Sequence, residues 1–256
     1  MMRGCLPDFL GIGVQKGGTT TLQRLLEQHP QVYLPRRKEL HYFSLHYGRG
    51  EAWYRQQFAD AEAHHCSGEI TPYYAFHPQA PQRIQALLPK AKLILLLRDP
   101  VDRALSQVAH SMRLGLEPLG LEDALNAEAD RLQGAEAELM AVDGQHRSHQ
   151  EHSYLARSRY EIQLARWCEH FSPEQLLIRR SEDLFEQPEC VWTELLAFLE
   201  LPDWPLPQQG RKAHVGSGEL EQLPSKRLMA MRALLHEQLA STYAAMLSDY
   251  GLSWID

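Results

Sequence analysis

At 256 residues, 44% of them hydrophobic and 23% charged, the chain is long enough to close one α/β domain around its own core. A formal net charge of −7 excludes a general nucleic-acid binder, which needs a basic face, and no stretch approaches the ~20 apolar residues that span a bilayer. The four cysteines, Cys5, Cys66, Cys168 and Cys190, form no C-x-x-C pair and no Cys/His metal spacing, so reduced thiols and no bound metal are expected.

The first element is an apolar run, Phe9, Leu10, Ile12 and Val14, which predicts a buried strand. It breaks at Gly17-Gly18 and restarts as a helix with Leu22, Leu25 and Leu26 on one face. Strand, glycine loop and helix together point backbone N–H groups at an anion. Thr19, Thr20 and Thr21 stand at the helix start, where hydroxyls cap or meet phosphate oxygens. The nearest generic pattern is G-x-x-x-x-G-K-[ST]. Gly13 and Gly18 have its spacing and Thr20 its hydroxyl, but Thr19 occupies the lysine position and the lysine is Lys16, inside the loop. That displacement argues against a P-loop kinase or other nucleotide phosphotransferase, the alternative enzyme class, whose lysine reaches the β/γ-phosphates.

Gln15-Lys16-Gly17-Gly18-Thr19-Thr20 resembles the 5′-phosphosulfate loop of sulfotransferases that use 3′-phosphoadenosine 5′-phosphosulfate (PAPS), closest to the heparan sulfate branch and its bacterial relatives. The resemblance implies a P-loop-type three-layer fold, a central parallel sheet flanked by helices, over a single domain, residues 1–256. It also implies PAPS as donor co-substrate and Gln15 to Thr21 as donor-binding residues. The animal heparan enzymes are membrane-anchored. No signal-like apolar run precedes Asp8 here, and a cytoplasmic enzyme acting away from membranes is expected.

After a short extended piece between Pro30 and Pro35 comes Arg36-Arg37-Lys38-Glu39-Leu40-His41-Tyr42-Phe43. Such a run is ordinarily a solvated face. Lys38 to Phe43 resembles the family's K-E-x-H-x-F segment, which implies Glu39 as catalytic base, with His41 second. If this piece is extended, Glu39 and His41 share one side and Lys38 takes the other. Ala52 to Phe58 reads as a short amphipathic helix, and Ser67 to Ile70 as a strand entering a turn. Glu69 to Tyr74 resembles the family's E-x-[ST]-P-x-Y segment; Tyr73 and Tyr74 fit either packing or a place in the site. His77 to Leu88 is the next predicted helix.

Lys92 to Leu97 is the clearest strand, apolar on both faces as in a parallel sheet. It ends in Arg98-Asp99-Pro100-Val101-Asp102-Arg103-Ala104-Leu105-Ser106, with Asp99 as helix cap and Pro100 at the first helical position. Ligands of open α/β sheets bind at the carboxyl ends of strands, so Arg98 is placed to meet one. A plain Arg98–Asp102 surface pair is the other reading. The pattern R-D-P-x-x-R-x-x-S resembles the family's 3′-phosphate site, which implies that Arg98 and Ser106 hold that phosphate.

Residues 116–152 read as a mobile helical insertion, Ala/Glu-rich and then polar, with His146, His149 and His152 near its end. The resemblance places it on the acceptor side. Ser153 to Phe171 is predicted helical, and Ser158-Arg159-Tyr160 resembles a short S-x-Y motif of the family. Leu176 to Ile178 is a further buried strand, followed by a helix through Trp192 and Phe198. The loop Gly210 to Gly218 resembles the family's late basic loop, which implies that Arg211 and Lys212 clamp the donor. Two helices, near Ser225–Leu239 and Ser241–Tyr250, close the chain. The implied reaction is sulfuryl transfer to a hydroxyl, or less readily an amine, of a small-molecule or carbohydrate-like acceptor, by in-line displacement. A non-catalytic nucleotide-binding module is the third reading; Lys16 and Glu39 speak against it. The residues do not translate into an acceptor identity or an oligomeric state.

Overall fold

The structure, a computed structural model, describes residues 4–63, 65–207 and 225–254. Five parallel strands form the central sheet: β1 Phe9–Gly13, β2 Val32–Tyr33, β3 Cys66–Ile70, β4 Lys92–Leu97 and β5 Leu176–Arg180. Their order is β2-β3-β1-β4-β5, so the chain leaves β1 to build one side of the sheet and then crosses to build the other. Register is set by pairs such as Leu10 with Glu69 and with Leu93, and Leu95 with Ile178.

Side-chain alternation along these strands divides the core into two layers. Leu10 and Ile12 of β1, with Leu93, Leu95 and Leu97 of β4, face a cluster containing Tyr54, Ile84 and Trp167. Those partners come from helices α2 Gly50–Gln56, α3 Ala80–Leu87 and, with the later helices numbered below in chain order, α9 Tyr160–Cys168. Phe9, Ile94 and Leu96 face the opposite way, onto Leu22, Leu25, Trp192 and Leu196. These belong to α1 Thr19–Leu26 and α11 Pro188–Phe198. The predicted parallel sheet flanked by helices is the observed fold.

Beyond β4, α4 runs over Pro100–Arg113, and Asp99 caps it by accepting the Asp102 N–H at 2.8 Å. A third apolar cluster joins α4 to α5 Leu121–Asn126 and α12 Ser225–Gln238 through Val101, Leu105, Leu125, Leu235 and Leu239. The insertion continues as α6 Glu128–Arg131, α7 Ala135–Leu139 and α8 Arg147–Glu151. Buried carboxylates tie it in. Glu117 accepts Arg131 at 2.6 Å and the Tyr154 hydroxyl at 2.7 Å. Burial acts to raise its carboxyl, but these bonds and the Leu119 N–H hold it at about 2. Glu128 accepts the Leu155 and Ala156 N–H groups at 2.6 and 2.9 Å.

The predicted helix from Ser153 starts later than expected. Residues 153–159 form a turn and one 3₁₀ helix before α9 begins at Tyr160. Ser153 donates to the His149 carbonyl at 2.7 Å and Ser158 to the Pro100 carbonyl at 2.7 Å, so side chains hold this segment to its neighbours in place of an intrahelical ladder. α10 Ser181–Glu186 follows β5, and α13 Ala240–Tyr250 packs beside α9.

Candidate functional site

A cleft of about 870 Å³ opens where the strands end. The segments following β1, β3, β4 and β5 all reach it, with Lys16, Tyr73, Arg98 and Ser181 on its wall. This is where open parallel sheets place ligands, because the chain turns away there and leaves a crevice.

The glycine loop forms its floor. Val14 N–H bonds to the Leu96 carbonyl at 3.0 Å, and Gly17 N–H turns back to the Val14 carbonyl at 2.9 Å. The Gly17 N–H is thus paired within the loop; Thr19 and Thr20, in the first turn of α1, carry N–H groups that have no intrahelical partner. Gly18 precedes the helix in the left-handed region at φ 85°, and Lys16 is also left-handed at φ 71°. A Cβ at Gly17 would stand 2.4 Å from the Leu96 carbonyl oxygen. Gly17→Ala is therefore expected to force the β1–β4 seam apart and to lower stability by about 1–3 kcal/mol in denaturant melts.

Arg98 and Ser106 line the same cleft, with Asp102 and His110 on the same face of α4 at four-residue spacing. The Arg98–Asp102 pair is loose at 4.0 Å; Asp102 is held more tightly by Arg232 at 2.5 Å. Ser158 and Tyr160 of the S-x-Y segment are buried supports and do not line the cleft. Ser158 accepts Arg103 Nε at 2.6 Å, and the Tyr160 hydroxyl donates to the Arg98 carbonyl at 2.9 Å, fixing the strand end that carries Arg98.

Glu39 and His41 face each other across the cleft wall, with His41 Nε2 at 3.5 Å from Glu39 Oε2 and the Glu39 side chain 39% exposed. The expected extended geometry is not what brings them together. Glu39 and His41 both adopt left-handed backbone, φ 56° and 54°, which folds the segment over. Lys38 accordingly shares Glu39's side, with Nζ at 3.9 Å from Glu39 Oε1. Burial acts to raise the Glu39 carboxyl, but the His41 hydrogen bond and the charges of His41, Lys38 and Arg157 outweigh it and hold the pKa below the usual value. Of the charged run just before Glu39, Lys38 acts on it, joined by His41 and by the distant Arg157. Ser44 Oγ lies 3.3 Å from His41 Nδ1 and orients the ring from behind.

Glu69 is spoken for. It is buried and accepts the hydroxyls of Tyr54, Tyr74 and Thr71 at 2.8, 2.9 and 2.7 Å. Tyr74 is core, whereas Tyr73 lines the cleft and meets His149 Nδ1 at 2.7 Å through its hydroxyl. The histidines of the insertion are used singly: His146 caps α8, His149 stacks on Phe76 and His152 meets the Leu116 carbonyl. No group of metal-ligating side chains occurs among the described residues. Arg211 and Lys212 lie outside the described residues.

Two cleft cations have partners that the sequence did not show. Lys38 Nζ donates to Thr20 Oγ1 at 2.6 Å, reaching from the Glu39 segment to the glycine loop. Arg157 donates to Gln15 Oε1 from the far side of the chain. Lys38 opens the K-E-x-H-x-F segment, but nothing local gives its contact with Thr20, and no pattern marks Arg157. Lys38 sits in a run that looks solvated, and Arg157 is separated from Gln15 by 142 positions.

The geometry can be set beside known proteins. The sulfotransferase domain family matches residues 6–228. The chain is 32% identical over 266 residues to the membrane-associated sulfotransferase kil1 of Dictyostelium discoideum, covering 77% of this chain and 56% of that protein. It is 32% identical over 183 residues to human heparan sulfate glucosamine 3-O-sulfotransferase 3B1, covering 72% of this chain and 43% of that protein. The chain thus spans about half the length of these curated relatives. Among solved structures, a sulfotransferase from Alicyclobacillus acidocaldarius superposes with a TM-score of 0.74 at 25% identity, over 96% of this chain and 98% of that one. Mouse sulfotransferase SULT7A1, solved in complex with PAP, shares the fold at a TM-score of 0.56 and 12% identity, over 97% of this chain and 87% of that one. A parallel sheet ending in a glycine loop and an arginine–serine face, together with this match over most of its length, makes the chain a member of the sulfotransferase domain family.

Proposed function

We propose that the cleft binds PAPS and moves its sulfuryl group to a hydroxyl, or less readily an amine, of a small-molecule or carbohydrate-like acceptor. The observation that carries this reading is one cleft with the Lys16 loop, the Arg98–Ser106 face and the Glu39–His41 pair on its walls. The residues fit such a donor. The loop comes too close to Leu96 to carry a side chain at Gly17, α1 offers N–H groups, and Lys16, Lys38, Arg98 and Arg157 are cationic. PAPS, when bound, supplies a sulfuryl group already activated by a phosphate leaving group.

Glu39 takes the acceptor proton as the new S–O bond forms, and His41 orients the carboxylate or shares the proton. Lys16 and the N–H groups of Thr19 and Thr20 meet the negative charge that grows on the departing 5′-phosphate oxygen. Arg98 and Ser106 hold the 3′-phosphate, with Arg211 assigned to the same clamp and Lys212 to the departing 5′-phosphate oxygen, so that the reactants stay in line. A sulfuryl group carries less charge than a phosphoryl group, which is a physical reason for such a site to act without magnesium. Carbohydrate acceptors are favoured by the names of the heparan-modifying relatives, and residues 116–152 form the acceptor side. The compartment in this reading is the cytoplasm, supported by cysteines that are all free thiols.

The test is donor discrimination. Arg98→Ala removes a charge-assisted contact of roughly 1.5–3 kcal/mol. Calorimetric titration is expected to show binding of 3′-phosphoadenosine 5′-phosphate falling sharply while adenosine 5′-phosphate is hardly affected. Equal loss for both ligands would remove Arg98 from the 3′-phosphate.

A further inference from the structure

Among the described cleft-lining residues Arg157 is the cation most withdrawn from solvent, 4% exposed. Buried guanidinium groups ordinarily meet a carboxylate. Arg157 meets neutral acceptors instead: Gln15 Oε1, the His149 carbonyl at 2.9 Å and the Gln150 carbonyl at 2.5 Å. Its guanidinium lies over the rings of Tyr73 and Phe76, 4.9 and 5.2 Å from their centres. Its Nε is buried without a hydrogen-bond partner. Arg103 offers a contrast. It too is buried, but each of its nitrogens donates to a core acceptor, Ser158 Oγ, Gln107 Oε1 or the Tyr154 carbonyl, and it stands off the cleft. Arg103 is a staple; Arg157 is a cation left on the wall of an anion site.

We propose that Arg157 is a positioning residue for the donor loop, which locks the Gln15 carboxamide so that its NH₂ group is presented to the bound donor beside Lys16. This rests on the PAPS reading above. A glutamine amide can turn either its oxygen or its nitrogen toward a ligand. Arginine has donors and no acceptor, so the Gln15 atom it meets must be the oxygen. The NH₂ end is then the one left for the cleft, and no other side-chain hydrogen bond of Gln15 competes for it among the described residues. A flipped amide would set its oxygen against an anion. Arg157 is itself aimed by the ring pair and by two carbonyls at the end of α8. The last helix of the insertion thereby helps set the donor loop.

The experiment is a double-mutant cycle on the full chain, Gln15→Ala with Arg157→Gln, read as the dissociation constant of 3′-phosphoadenosine 5′-phosphate and as kcat and KM for PAPS. Each single variant is expected to weaken binding about tenfold, and the double variant no more than Gln15→Ala alone. Arg157→Lys, which keeps one donor and the charge, is expected to recover part of the loss. Losses that multiply would show that Arg157 acts independently of Gln15 and would overturn the proposal, as would Gln15→Ala binding like wild type. If Arg157→Gln does not fold, Arg157→Lys takes its place in the cycle and the same non-additivity decides. Wild-type protein that neither binds the bisphosphate nor turns over PAPS would refute the PAPS reading itself, and this inference with it; active wild type with multiplying losses refutes the inference alone.

Discussion

Glu39→Gln is expected to lower kcat by roughly 10²–10⁴-fold, the usual contribution of a positioned general base, with little change in affinity for 3′-phosphoadenosine 5′-phosphate. The substitution keeps shape and hydrogen-bonding capacity and removes basicity. Its thermal melt should fall only slightly, since the side chain is 39% exposed and the loss is confined to its ion contacts with Lys38 and His41. The pH profile provides a second reading. Burial works to raise the Glu39 pKa, but His41, Lys38 and Arg157 bring it below the ordinary carboxylate value of 4.5. The base is active when deprotonated, so rate is retained from neutrality down to that depressed value and lost only as pH falls through it. An acid limb near neutrality would point to an imidazole. If Glu39→Gln keeps most of its turnover while His41→Ala loses it, the proton goes to His41, with Glu39 orienting the ring across their 3.5 Å contact. If both variants stay active, the left-handed backbone at both positions is a packing feature and the base is elsewhere.

Lys16→Ala is expected to lower kcat by roughly 10²–10³-fold, as removal of one preorganised donor to a developing negative charge typically does. Affinity for the donor should fall less, because the lysine matters most once charge accumulates on the departing oxygen. The loop fixes where that charge sits. Lys16 lies between Val14, pinned to the Leu96 carbonyl, and Gly17, pinned to the Val14 carbonyl, and its own backbone is left-handed. Lys38 on Thr20 and Arg157 on Gln15 flank it but start from other segments, so neither replaces it at the same point. Steady-state kinetics at saturating donor decide the matter: near-normal turnover would take Lys16 out of the mechanism, and a loss confined to KM would make it a binding residue only.

What the sequence determined by itself is what depends on neighbours along the chain. The apolar runs at Phe9–Val14 and Lys92–Leu97 specified the two central strands, because a strand buried on both faces has no polar alternation to obscure it. Gly17-Gly18 specified the loop between β1 and α1, and Asp99-Pro100 the start of α4, because turn and cap preferences are local backbone properties. Since ligands collect at strand ends, the sequence alone places Lys16 and Arg98 at one end of the sheet. The tertiary structure alone decided what depends on approach through space. Only the left-handed backbone at Glu39 and His41 turned their side chains together and brought Lys38 to the same side, where extended chain would have separated it. Only the fold of the insertion's end carried Arg157 to Gln15, and nothing in a run of charges near Arg36 distinguishes cations that tune Glu39 from cations that face water. The S-x-Y segment, legible as a motif, proved to be a support beneath Arg98, since whether a hydroxyl faces a ligand or a carbonyl depends on burial, and burial is a property of the packed whole.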